Sequence, residues 1–154
     1  MIWDLPTEAR LVLWRNFRKT LEWKDLHAAA EASAEWWSEI PTQDVTPNVS
    51  APWAIDTWPD PWNLMADGPL NHTHTSVAIA YTLWMTALPE DKERITLGVI
   101  NSHERRQILL VVVIDNERLI NYNSGKIVDM SQLGGDAEML STHTYSTFKS
   151  RIKA

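Results

Sequence analysis

The feature that most constrains this chain is the uninterrupted apolar run Ile108–Ile114, ILLVVVI. Side chains alternate between the two faces of a strand, so such a run has no polar face to give to water. It predicts a central strand with a neighbour on each edge and cover on each face, with Val111 to Val113 buried. Asn116-Glu117 follows as a tight turn into a short strand from Arg118, and Ile95–Ile100 precedes it as another strand. Asn123-Ser124-Gly125 reads as a second turn before Lys126–Val128. These segments predict a small antiparallel sheet.

Helical periodicity fills the other half. Thr7 reads as the cap of a first helix whose apolar stripe is Ala9, Leu13, Trp14, Phe17 and Leu21. A second helix is predicted from about Glu22 to Ser38, with Trp23, Leu26, Ala30, Ala34 and Trp37 on one stripe and Pro41 as its stop. Asp60-Pro61 reads as N-cap and first helical residue of a short helix ending at Gly68. Asn71 or Thr73 caps the next, which runs to Leu88 with Val77, Ala80, Tyr81, Trp84 and Leu88 inward. The tail Thr142–Phe148 alternates and reads as an edge strand or an extended arm. The expected fold is α+β in one domain. N-terminal helices occupy 1–40, a Pro/Trp-rich connector 41–62, and a helix with an antiparallel sheet 63–154.

Pro41, Pro47, Pro52, Pro59 and Pro61 exclude a regular helix or a central strand from the connector. The chain has nine Trp in 154 residues, and three of them, Trp53, Trp58 and Trp62, lie in this segment. Indoles are enriched among interface anchors, which makes these three candidate partner-binding residues. Trp36 joins them, because adjacent Trp36 and Trp37 point about 100° apart on a helix and do not both face one core.

Net charge is −6, with acidic and basic residues interspersed, which speaks against nucleic acid as the main partner. Arg15, Arg18 and Lys19, and Arg105-Arg106, read as solvated faces or turns. No segment has the charge and apolar pattern of a signal peptide, and none is long enough to span a bilayer, so synthesis in the cytoplasm is expected. The absence of Cys removes disulfides, thiolate metal sites and Cys nucleophiles together.

That absence matters because of Asp56–Leu88, DTWPDPWNLMADGPLNHTHTSVAIAYTLWMTAL. A Trp/Pro turn, a Gly-containing turn and a helix with recurrent Ala resemble the segment that delivers the nucleophilic Cys in transglutaminase-like, papain-like cysteine peptidase folds. A helix N-terminus there stabilises a thiolate. The resemblance covers Asp56 to Asp129, about half the chain. It puts the Cys position near His74, counting back from Ala78. The His position falls near Gln107, and the Asp position near Asn121 or Tyr122. None of the three matches, so the resemblance implies a frame that has lost its chemistry. The chain also resembles small proteins of tailed phages.

Other chemistry has thin support. His72 and His74 stand two apart, not at the i, i+4 spacing of one helical face; with His103 and Asp67 they are the only candidate metal set. Ser76 or Thr73 as a nucleophile lacks a GxSxG turn. No motif calls for a nucleotide or other cofactor. Asp56 and Asp60 beside Trp58 fit capping better than sugar binding. The expected role is a non-catalytic structural or protein-interaction protein, a tailed-phage virion component of the neck, tail or baseplate. The rival is a hydrolase, transferase or metal-binding protein using His72, His74 and His103.

Overall fold

The structure, a computed structural model, describes residues 2–42 and 51–153. Residues 43–50 of the predicted connector, Pro47 among them, lie outside the described residues.

Among the described residues, five α-helices and five strands make up the fold. The helices are α1 (Thr7–Leu21), α2 (Leu26–Ser38), α3 (Pro61–Asp67), α4 (His72–Thr86) and α5 (Tyr145–Lys153). The strands are β1 (Ile95–Ser102), β2 (Gln107–Ile114), β3 (Arg118–Ile120), β4 (Ile127–Asp129) and β5 (Ala137–Thr144). Side-chain capping sets three helix starts. Asp25 accepts from Ala28 N at 2.8 Å, Asp60 from Asn63 N at 2.8 Å, and Asn71 from His74 N at 2.7 Å. Pro6, not Thr7, occupies the cap position of α1.

The sheet is antiparallel throughout, in the order β4-β3-β2-β1-β5. β2 is paired on both edges, and Val111, Val112 and Val113 are at most 1% exposed, as the apolar run requires. Leu110, Val112 and Ile114 face the helices. Leu109, Val111 and Val113 face a smaller cluster with Ile100, Leu119 and Tyr122, covered by Met130, Leu133 and Met139.

α4 is the central helix. Every residue from Thr75 to Trp84 is buried, and it packs against β1, β2 and the helices α1, α2, α3 and α5. Ala78 and Ala80 let these neighbours approach closely. One hydroxyl ties three helices: Thr82 Oγ1 accepts the indole N–H of Trp14 at 3.0 Å and of Trp37 at 3.1 Å, and donates to Ala78 O at 2.7 Å. Buried Trp needs such a partner. Arg10 donates to Met65 O and Ala66 O at the end of α3, so α1 fixes the turn that leads into α4. Gly68 in that turn lies against the Trp3 ring, where an added Cβ would sit 2.1 Å from a ring carbon.

Several expectations are corrected. Trp23 lies between α1 and α2 and is 93% exposed, because Asp25 caps α2 after it. Leu88 falls beyond α4 and is 58% exposed. The tail is neither arm nor edge strand past Thr144: α5 begins at Tyr145 and buries Phe148 completely. The edge strand is β5, starting at Ala137.

Candidate functional site

A cleft of about 760 Å³ opens at the N-terminal end of α4. Asn71, His72 and Thr73 form one wall, and Gln107, Ile108 and Leu109 at the start of β2 form the other. Arg105 and Arg106 border it from the β1–β2 turn, and Trp53, 62% exposed, stands at its mouth.

Behind that wall is a hydrogen-bonded network. His72 Nε2 lies 2.8 Å from Asn121 O. A carbonyl only accepts, so the proton of this pair sits on Nε2. Asn121 Nδ2 donates to His72 O at 3.2 Å and to Ser76 Oγ at 2.8 Å. Ser76 Oγ donates in turn to Leu110 O at 2.6 Å. Asn121 has φ +71°, a left-handed conformation that Asn tolerates through its short polar side chain. The chain from α4 to β3 and β2 is therefore locked, and the Ser76 proton is committed to a backbone oxygen.

The structure brings some predicted site residues together and separates others. Gln107 is exposed at the cleft wall, and Asn121 is bonded to His72. His74 does not line the cleft; His72 and Thr73 do. Burial holds the His74 imidazole below its ordinary pKa, with the Asp67 carboxylate opposing in part. Its Nε2 is buried without a hydrogen-bond partner. Tyr122 belongs to another network on the far face of the sheet. Its hydroxyl donates to Asp136 Oδ2 and pairs with Ser102 Oγ at 3.1 Å, while the Arg105 guanidinium lies 4.2 Å from its ring centroid. Burial raises the Tyr122 pKa, and the Tyr122 hydrogen bond leads the causes that lower that of Asp136.

Of the candidate partner-binding indoles, Trp58 is corrected outright. It is 4% exposed, stacks on Phe148 at 6.0 Å and donates to Ala51 O. Trp62 and Trp36 are half-buried: Trp62 packs edge-on to Trp14, and Trp36 stacks on Phe17 at 4.5 Å. Only Trp53 of the four is open to solvent. Among the described residues, no group of three or more His, Cys, Asp or Glu could hold a metal ion, so His72, His74 and His103 do not form one. His103 stands on the surface, 3.7 Å from Glu138. The sequence reading passed over Asn71 and Thr73 as cleft walls and Arg105 as its border; the helix-cap rule that gave Asn71 was the available signal.

No family model matches the chain, and no curated protein does. Solved structures do. Legionella pneumophila LapG in its calcium-bound form superposes with a TM-score of 0.74 at 16% identity, covering 91% of this chain and 77% of LapG. A second LapG structure gives 0.73 at 18% identity, covering 90% and 75%. The EGTA-treated form gives 0.73 at 16%, covering 90% and 74%.

The fold is transglutaminase-like.

The start of α4 and the first residue of β2 meet around the cleft, and the residue after β3 lies behind it. Here they carry His72 and Thr73, Gln107 and Asn121. Among the described residues no helix is long and apolar enough to cross a membrane.

Proposed function

We propose that this chain is a non-catalytic protein-interaction module built on a transglutaminase-like frame. The observation that carries the reading is the His72–Asn121–Ser76 network. His72, Asn121 and Ser76 are spent on backbone carbonyls and on one another. A nucleophile needs a proton acceptor poised beside it and an orienting acid behind that. Asn121 donates where an orienting carboxylate would accept, and Gln107 has no basic nitrogen. The cleft, about 760 Å³, has exposed Trp53 at its mouth. Exposed indoles are common anchors for protein partners.

The biological setting is part of the same proposal. The chain is made in the cytoplasm and enters the virion of a tailed phage as a neck, tail or baseplate component. This rests on its resemblance to small tailed-phage proteins. Protein subunits are its partners; no nucleic acid, membrane or cofactor is required.

The test is turnover. The purified chain is incubated with labelled casein, peptide amides and esters, and product is followed against the same chain with His72→Ala and Thr73→Ala. No difference between them is expected. Turnover by the wild-type chain that either substitution abolishes overturns the reading. Mass spectrometry of purified particles checks the virion assignment, which fails if the chain is confined to the unassembled fraction.

A further inference from the structure

We propose that the groove along α1, continuing past Trp23 to Leu88, is the docking surface for an acidic amphipathic segment of a protein partner. It lies away from the cleft at the head of α4, and it rests on reading the chain as a partner-binding protein.

Cations without partners supply the first observation. Arg15, Arg18 and Lys19 line one groove of about 520 Å³, walled also by Leu11, Trp62 and Met85. Among the described residues none of these three cations forms an ion pair. Arg18 is the most telling. Its guanidinium lies 4.5 Å from the Trp14 ring centroid, its Nη1 reaches only the Met85 sulfur at 3.6 Å, and its buried Nε has no acceptor. A half-buried guanidinium ordinarily takes a carboxylate. Desolvation and then the neighbouring Arg15 charge oppose its protonated form, so an incoming carboxylate would relieve a standing cost. The chain carries a net charge of −6, yet Glu22 is the one carboxylate lining this groove among the described residues, and it forms no ion pair with the three cations.

Apolar exposure supplies the second. A neighbouring groove, which shares Glu22 and Thr86 with the first, is bordered by Trp23 and Leu88. Trp23 is 93% exposed, Leu88 58% and Val12 55%. A basic strip beside an apolar one matches a helix with carboxylates on one flank and Leu or Phe on the other. Nucleic acid fits poorly, because phosphate tracking needs a longer run of cations; Glu22, Asp25 and Asp91 border the apolar groove, so the carboxylates of the partner fall on the Arg15–Lys19 side.

The probe is a labelled amphipathic peptide of Glu, Leu and Ala, titrated with the full chain by fluorescence anisotropy. Its Lys-for-Glu counterpart and a short DNA duplex are the controls. The acidic peptide is expected to bind and to weaken with salt, and the Lys peptide and duplex to stay free. Arg15→Gln with Lys19→Gln, both on the exposed face, is expected to weaken binding roughly tenfold without lowering the melting temperature. Trp23→Ala is expected to do the same without altering the salt dependence. Equal binding of both peptides, preference for the duplex, or full affinity in both variants overturns the proposal. So does concentration-dependent self-association that Trp23→Ala abolishes, which would make a second copy the occupant. The peptide's mass after incubation keeps the two readings apart: cleavage defeats the non-catalytic proposal and leaves this surface standing.

Discussion

The head of α4 and the outer side of α1 differ in how far their polar groups are paired, although each keeps one buried nitrogen without a partner, His74 Nε2 and Arg18 Nε. At the head of α4, His72, Asn121 and Ser76 satisfy one another and the backbone. Along α1, Arg18 keeps a buried Nε with no acceptor, beside two further cations without ion pairs among the described residues. Closed networks fix a fold; open ones wait for something. In this molecule the head of the central helix is the more closed of the two. The place with unmet electrostatic demand is one that the frame does not point to.

Three measurements probe that contrast. The largest effect is expected from Asn121→Asp. The left-handed backbone tolerates Asp. Its side chain cannot donate to His72 O or Ser76 Oγ, so a buried acceptor would face another acceptor. Loss of about 2–4 kcal/mol of unfolding free energy is expected. Chemical denaturation giving an unchanged midpoint would mean that the network is not what holds the head of the helix.

Next comes pH. The folded pKa of His74 lies below the ordinary value, chiefly through burial, and that of His143 is lowered by the same cause. In the window below about pH 6.5 the unfolded chain therefore binds more protons than the folded one. Stability is fully present above that pH and is lost as pH falls through the folded values. His74→Gln should flatten the slope of stability against pH between neutrality and pH 5, as read by denaturant titration at each pH. An unchanged slope would remove His74 from the account.

The smallest effect is expected along α1. Arg15→Gln removes a like charge that opposes Arg18, so a gain of a few tenths of a kcal/mol is expected, shrinking with salt. A clear loss would show that these cations already have internal partners, and the contrast with α4 would fall.

The same contrast explains what the sequence could disclose. Caps written in side-chain chemistry were legible: Asp60 before Pro61, and Asn71 at the head of α4. So was β2, whose apolar run admits only a central position. β5 was not, because it borders one neighbour and its sequence AEMLSTHT carries no apolar alternation. That omission had a second cost. Phe148 of α5 and His143 of β5 form the wall against which Trp58 is buried, so the Pro-rich surroundings of Trp58 suggested an exposure that it does not have. At the site, counting from Ala78 located the helix and its first turn. It could not say which residue there meets the cleft, since each step along a helix turns the side chain by about 100°. The charge run was legible in part, since Arg15 and Lys19 do lie on an exposed face. Arg18 looks like part of that face until its packing over Trp14 is seen.

The register of β5 bears on how the molecule behaves in a crowd. Its pairing with β1 slips between Val99 and Ile100, leaving Leu140 as an extra residue. β5 is an outer strand, and a straight outer strand of its length offers a row of amide and carbonyl groups to any extended chain that passes. The extra residue breaks the spacing of that row near its middle. A foreign strand that begins to zip from either end loses its match after a few residues. At high concentration the chain should therefore resist growth into ordered fibrils along this edge, and an association that does occur should use side chains rather than a continued sheet.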